Sequence, residues 1–232
     1  MKITAIIPAA GDGVRFGEKK QLKLLNGRPL IFHTIQPFIK SELINEIILV
    51  VPKDDVNQIS REFKSTITSK KIVVIEGGRT RQQSVNNGLR ISDEESELIC
   101  VHDGVRPFVT LTLIEKVIKA SKGHDGAILA LPSTDTILEI EEGNVISIPK
   151  REHLWHAQTP QGFQLRAIKN AYELLARVTA NDDFVPTDDC SVLLRFSPES
   201  RLVVVHGSQT NIKITYPFDL TLAETSIHSN ML

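Results

Sequence analysis

At 232 residues the chain is long enough for one sizeable core, and 27 basic against 28 acidic side chains leave a net charge of −1. No global field therefore argues for nucleic acid or an anionic membrane surface as a partner, and any anion binding must be local. Two cysteines without metal-ligand spacing, Cys100 and Cys190, read as reduced packing residues, and the absence of any signal-peptide pattern or run of about 18 apolar residues predicts a soluble cytoplasmic protein.

The first apolar run, Ile3 to Ile7, delivers the chain to Pro8-Ala9-Ala10-Gly11-Asp12-Gly13-Val14-Arg15, with Lys19-Lys20-Gln21 close behind. Gly11 and Gly13 let backbone N–H groups approach an anion closely. Arg15 and Lys20 add positive charge, the guanidinium as a two-pronged donor and the ammonium as a mobile point charge. The stretch reads as a phosphate-binding loop, although neither usual template applies. Phe16 stands where a dinucleotide fingerprint needs glycine, and G-x-x-x-x-G-K-[ST] is absent. A glycine pair after a strand is by itself more often a plain turn, so the functional reading rests on the basic residues.

Further β-branched runs follow at Ile47 to Val51, Ile72 to Ile75, Leu98 to Val101 and Ala127 to Leu131, nearly all without alternation, as expected of strands buried on both faces. Helical patterns lie between them at Pro29 to Ile39, Asp54 to Phe63, Arg81 to Leu89 and Leu113 to Ala120. This order predicts an α/β fold with a doubly wound, mostly parallel, Rossmann-like sheet, in one domain, with its ligand site beyond the carboxyl ends of the strands. After Leu131 the rhythm breaks. Thr136 to Ile140 and Asn144 to Ile148 flank Glu141-Glu142-Gly143 as a β-hairpin, the centre of an arm at about 136–153. A hairpin with so many apolar residues needs something to pack on, and a second protomer is the expected partner. A helix at Leu165 to Ala176, a strand at Leu202 to Val205 and a helix after Pro217 complete the chain.

Two further strand-end loops and three later polar segments carry candidate chemistry. Gly77-Gly78-Arg79-Thr80-Arg81-Gln82-Gln83-Ser84 suits a base or phosphate, or is simply a strand-to-helix turn with Thr80 as N-cap. In His102-Asp103-Gly104-Val105-Arg106-Pro107, a carboxylate at Asp103 beside triphosphate oxygens can help hold Mg²⁺, or can cap a turn. Arg106 is either a phosphate ligand or a structural partner of an aspartate, and His102 reads as a core or locally hydrogen-bonded histidine. Thr159 in Trp155-His156-Ala157-Gln158-Thr159-Pro160-Gln161 and Thr187 in Thr187-Asp188-Asp189-Cys190-Ser191 suit hydrogen bonding to a polyol or phosphate, or N-capping. Lys213, between Ile212 and Ile214, either faces solvent from a strand or reaches an anionic site.

Taken in order, Pro-Ala-Ala-Gly-x-Gly-x-Arg, Lys-Gln, Gly-Gly-x-x-Arg-x-x-Ser-Val, Val-His-Asp-x-x-Arg-Pro, Gln-Thr-Pro-Gln-x-Phe, Thr-Asp and Asn-Ile-Lys-x-Thr resemble the 2-C-methyl-D-erythritol 4-phosphate cytidylyltransferase family over residues 3 to 224. The resemblance implies transfer of CMP from CTP, with Mg²⁺ or another divalent cation, to that polyol phosphate. By family position, Arg15, Lys20 and Lys213 are the catalytic cations, and Asp103 serves the metal and nucleotide region. Ala9, Ala10, Gly11, Gly13 and Gly104 line the nucleotide, and Gly78 and Ser84 read cytosine. Arg106, Thr136, Thr187 and Lys213 hold the polyol phosphate, with Arg151 and Thr159 reaching into the partner's site of a homodimer formed through the arm. Three departures stand out: Lys19 precedes Lys20 where proline is usual, Gly104-Val105 replaces two alanines, and Asp189-Cys190 replaces Glu-Ala. The rival readings are a ribitol-5-phosphate cytidylyltransferase, which tends to open with Ala-Gly-Gly, and a nucleotide-binding module without catalysis. A nicotinamide-dependent oxidoreductase is disfavoured by Phe16.

Overall fold

The computed structural model describes residues 1–64, 70–178 and 183–228. Its central sheet is built from β1 (Lys2–Pro8), β4 (Glu46–Val51), β5 (Lys71–Glu76), β6 (Ser96–Val101), β7 (Gly126–Pro132), β10 (Trp155–Gln164) and β11 (Leu202–His206), in the order β11-β7-β10-β6-β1-β4-β5. Two separate ribbons pair β2 (Leu24–Leu25) with β3 (Arg28–Pro29) and β8 (Glu139–Glu141) with β9 (Asn144–Ser147). The helices are α1 (Leu30–Lys40), α2 (Val56–Lys64), α3 (Arg81–Ile91), α4 (Leu111–Ser121), α5 (Leu165–Leu175), α6 (Asp189–Phe196) and α7 (Pro217–His228).

The unalternating apolar runs explain the layering. In a strand, neighbouring side chains point to opposite faces. Ile3, Ala5 and Ile7 of β1 join Ile47, Leu49 and Val51 of β4 in a core with α1, α2 and α4, while Ile6, Ile48 and Val50 enter a second core with α3, α5 and α6. Every residue of β4 is buried. Strand order reverses at β1, which has the later β6 on one side and β4 then β5 on the other, all parallel. The crevice at the carboxyl ends of β1 and β6 is thus the topological switch point where ligands bind in such sheets.

β10 departs from the sequence expectation. The stretch from Trp155 to Gln161 reads as a polar cluster outside the expected strands, yet it runs antiparallel between β6 and β7, with an irregularity between Ala157 and Gln161. Its polar side chains are compatible with the interior because each finds a partner: Gln158 donates to the Ser208 carbonyl at 2.8 Å and Gln161 to Asp188 Oδ2 at 2.7 Å.

Gly162 of β10 sits against α4, where a Cβ would lie 2.3 Å from Ser121 Oγ and 3.0 Å from Val117 Cγ1. Gly162→Ala therefore overpacks a buried layer and is expected to destabilise the fold by about 1–3 kcal/mol. Thermal unfolding checks this, and an unchanged Tm would show slack between β10 and α4.

Candidate active site

Three polar segments converge at the crevice, and in each of them one basic residue has a buried apolar neighbour that fixes it. The loop after β1 turns at Gly13, whose φ of +70° and Cβ position, 1.8 Å from the Glu18 carbonyl oxygen, admit only glycine. Its carbonyl accepts from the Phe16 and Gly17 N–H groups, both at 2.8 Å. Phe16, the residue that breaks the dinucleotide fingerprint, is buried with Leu25, Leu30, Val105, Ile214 and Ala223. This small cluster underlies the site: Phe16 anchors Arg15, Val105 anchors Arg106, and Ile214 anchors Lys213. A backbone bond from Ile214 N–H to the Val105 carbonyl, at 2.9 Å, ties the last two segments together.

Asp103, only 6% exposed, lies at the centre. Its Oδ1 accepts from Arg81 Nε at 2.9 Å, its Oδ2 from Lys213 Nζ at 2.8 Å, and Arg106 Nε stands 3.8 Å away. Burial alone would raise this carboxyl, but Arg81, Lys213 and Arg106 outweigh it and hold the group well below the usual carboxylate range. Lys213 therefore reaches an anionic site, and it does so from a loop. Arg106 is the aspartate-paired arginine, and its Nη1 also donates to the Asn211 carbonyl at 2.7 Å. The sequence reading assigned no role to Arg81, although its motif includes it. Arg81 bridges Asp103 to Asp189, donating from Nη2 to Asp189 Oδ2 at 2.7 Å.

Lys19 and Lys20 separate clearly. Lys19 Nζ donates to Asp55 Oδ2 at 3.0 Å. Lys20 instead lies within electrostatic reach of Lys213, Arg15, Asp103 and Asp219, and its pKa is lowered by desolvation first and then by Lys213 and Arg15. Arg15 is exposed beside it.

The backbone residues divide. Ala9 is buried, with its N–H given to the Val50 carbonyl at 2.7 Å; Ala10 is half-buried, and Gly11 opens onto space in which a Cβ would meet nothing. Gly104 is enclosed instead: its N–H donates to the Pro8 carbonyl at 3.0 Å and its carbonyl accepts from Thr34 Oγ1 at 3.1 Å. Its backbone is thus committed to joining two loops, a correction to its expected place along the nucleotide. Gly78 N–H donates to Ser84 Oγ at 3.1 Å, and Ser84 Oγ donates to the Thr80 carbonyl at 3.0 Å, so Ser84 shapes the Gly77-Gly78 turn. Thr80 is the N-cap of α3.

Thr159 also needs correcting. It is buried, and its Oγ1 accepts from the Asp103 N–H at 3.0 Å, so it supports its own chain's aspartate and does not project towards a partner. The same hydroxyl meets His102 Nδ1 at 3.0 Å, while His102 Nε2 faces the Arg106 carbonyl at 3.2 Å. A carbonyl only accepts, so the neutral ring carries its proton on Nε2 and takes the Thr159 proton on Nδ1. Burial lowers the His102 pKa to about 3 and keeps it neutral. Thr187 is exposed and is not a cap; Asp188 caps α6 through a reciprocal bond with Ser191. Thr136 and Arg151 are both exposed at the arm, where Arg151 Nη1 donates to the Thr134 carbonyl at 3.0 Å.

For the divalent cation expected at Asp103 the protein offers a single carboxylate, and that carboxylate is shared. Both of its oxygens already meet cations, and among the described residues no group of three or more His, Cys, Asp or Glu is placed to hold an ion. The arrangement suits an anionic ligand, with Lys20, Arg15, Arg106 and Lys213 around one crevice.

A lysine whose folded pKa lies below its unfolded value binds its proton less tightly in the fold. Its charge therefore destabilises the protein fully below the folded pKa, and that cost fades as pH rises towards the unfolded value. Lys20→Met is accordingly expected to melt above the parent at pH 7, with the two converging as pH approaches the ordinary lysine value of 10.5, while losing turnover. A lower Tm for the variant at pH 7 would refute this reading of Lys20.

The sequence profile of the 2-C-methyl-D-erythritol 4-phosphate cytidylyltransferase family matches residues 3–229. The protein of that name from Syntrophus aciditrophicus is 42% identical over 96% of this chain and 94% of its own length, and the one from Geobacter metallireducens is 38% identical over 100% of both. Among solved structures, the 4-diphosphocytidyl-2C-methyl-D-erythritol synthase of Anaerococcus prevotii superposes with a TM-score of 0.87 at 34% identity, covering 98% of this chain and 96% of its own. The cytidylyltransferase of Thermus thermophilus gives 0.76 at 29% identity, covering 98% and 100%. With this match along its whole length and a phosphate-suited crevice at the switch point, the chain belongs to the 2-C-methyl-D-erythritol 4-phosphate cytidylyltransferase family.

Proposed function

We propose that the protein transfers CMP from CTP to 2-C-methyl-D-erythritol 4-phosphate, giving 4-diphosphocytidyl-2-C-methyl-D-erythritol and pyrophosphate. The observation that carries this is the ring of cations around one buried carboxylate at the end of β6, beside a glycine loop at the end of β1. A phosphate oxygen of the polyol substrate attacks the α-phosphorus of CTP, the bond from that phosphorus to the β-phosphate bridging oxygen breaks, and pyrophosphate departs. The nucleophile has a second pKa of about 6 and is already ionised at neutral pH, so no general base is needed. The protein's part is to align two anions and offset the charge that builds up between them.

In this reading Arg15 and Lys20 grip the triphosphate and Lys213 stands between the two substrates. Ala9, Ala10, Gly11 and Gly13 line the nucleotide, and Gly78, in a turn held by Ser84, faces its base. Thr187 and Lys213 hold the polyol phosphate, and Arg106 adds its charge from behind, through its pairing with Asp103. Mg²⁺ enters as part of the nucleotide substrate, held by triphosphate oxygens, while Asp103 orders the cations. CTP and the polyol phosphate are both soluble metabolites, which fits a cytoplasmic enzyme.

A homodimer belongs to the same proposal. Among the described residues β8 and β9 pair only with each other, and Ile137, Leu138, Ile140, Val145, Ile146 and Ile148 are 37–63% exposed. An isolated two-stranded ribbon with that much apolar surface is marginal in water and is stabilised by packing on a second copy. Thr136 and Arg151 would then serve the partner's site.

The first test is pyrophosphate release from CTP and Mg²⁺, with methylerythritol 4-phosphate and ribitol 5-phosphate offered in parallel. Turnover with the former alone is expected; turnover with ribitol phosphate alone would replace the substrate, and CTP binding without turnover would favour a non-catalytic module. The exchanged arm is tested by mixing two inactive variants, Lys20→Met and Arg151→Ala, under conditions that reassort subunits. If Arg151 acts across the dimer, each mixed dimer holds one intact site and about a quarter of parental activity returns. No recovery would place Arg151 in its own chain's site.

A further inference from the structure

We propose that Arg81 is a positioning residue that sets the Asp103–Lys213 pair and the Thr187 segment in register, with Gln82 as its auxiliary. The proposal rests on the reading above, in which Thr187 and Lys213 hold the polyol phosphate.

Arg81 is the first residue of α3, directly downstream of the Gly77-Gly78 turn, and Thr80 fixes that turn by accepting from the Gln83 N–H at 3.1 Å. Its guanidinium joins two carboxylates that are 6% and 0% exposed, Asp103 at 2.9 Å and Asp189 at 2.7 Å. Each carboxylate is pinned at its other oxygen as well. Tyr172, on α5, donates its hydroxyl to Asp189 Oδ1 at 2.5 Å, and Lys213 meets Asp103 Oδ2 at 2.8 Å. The chain Tyr172, Asp189, Arg81, Asp103, Lys213 thus links α5, α6, α3, the end of β6 and the loop before α7. A planar fork fixes the angle and spacing of two carboxylates, which a single ammonium on a flexible stem does not.

A second set of bonds reaches the same segment. Gln82 Nε2 donates to the Pro186 carbonyl at 2.7 Å, and Gln161 Nε2 donates to Asp188 Oδ2 at 2.7 Å. The residues flanking Thr187 are therefore held from α3 and β10, while Thr187 remains exposed. The first turn of α3 meets the segment after Gly77-Gly78 through Gln83, whose Oε1 accepts from the Arg79 N–H at 2.8 Å, the central carboxylate through Arg81 and the Thr187 segment through Arg81 and Gln82. A displaced Arg81 fork lets Asp103 rotate, which releases Lys213 from its place between the substrates, and lets the start of α6 drift, which moves Thr187.

Steady-state kinetics of the full-length protein with both substrates test this, alongside thermal unfolding. Arg81→Lys is expected to fold, to lower kcat by about 10- to 100-fold and to raise KM for methylerythritol 4-phosphate, with KM for CTP within about threefold of the parent. Gln82→Ala is expected to raise KM for methylerythritol 4-phosphate by about threefold or more and to leave KM for CTP in place. A folded Arg81→Lys with kcat within about twofold of the parent overturns the proposal, as does an equal rise of both KM values, the mark of a merely structural role. If Arg81→Lys does not fold, Gln82→Ala decides, and an unchanged KM for the polyol phosphate overturns it. A parent enzyme that releases no pyrophosphate at all would instead refute the functional reading, before any variant is compared.

Discussion

The Asp103 carboxylate is the anion about which the crevice is organised. Arg81, Arg106 and Lys213 all meet it, and two like unit charges 4 Å apart would otherwise repel by about 4 kcal/mol at an effective dielectric of 20. One buried negative charge lets several cations share a small volume before any phosphate arrives. That is what preorganisation means here: the donors are aimed and partly desolvated in the free protein, so little reorganisation remains when charge develops on the substrate. The carboxylate is itself fixed from behind, since the Asp103 N–H is held by Thr159 and the Thr159 hydroxyl is oriented by neutral His102.

Electrostatics alone would not place these side chains, because long basic residues are flexible. Their precision comes from apolar neighbours one residue away. Phe16, Val105 and Ile214 share one buried cluster and come from three distant parts of the sequence, so Arg15, Arg106 and Lys213 are brought to one crevice by hydrophobic packing. The hydrophobic term is non-directional and sets the approach of the segments, and the hydrogen bonds to Asp103 and Asn211 then set direction.

This division explains what could be read from the sequence. The five β-branched runs, the helices between them and the hairpin follow from local periodicity, and all stand where expected within a few residues. The placement of Arg15, Lys20 and Asp103 at the crevice was legible because they belong to the segments that follow β1 and β6, at the sheet edge where a doubly wound sheet puts its ligands. β10 was not legible, since Gln158, Thr159 and Gln161 are tolerated inside only through partners far away in sequence. The same holds for Arg81, whose two carboxylates lie 22 and 108 residues away, and for Lys213, whose direction depends on the Ile214 anchor. Asp189 stood out in the sequence only as a departure from the pattern that the chain resembles. In the fold its side chain reaches both Arg81 and the Tyr172 hydroxyl.

Lys20 and Lys213 are consequently not equivalent cations. Lys213 is held against Asp103, so its position is set at the cost of sharing its charge with a carboxylate. Lys20 is half-desolvated among like charges, which lowers its pKa and leaves its ammonium under-compensated. In the proposed function, a triphosphate arriving at Lys20 would meet a cation whose burial and like-charged neighbours are only partly offset by Asp103 and Asp219, and would gain alignment from Lys213, whose position is set by Asp103. A cation kept at a cost to the fold would in that reading return it as affinity for the anion, the relation expected between a destabilised functional site and the ligand that completes it.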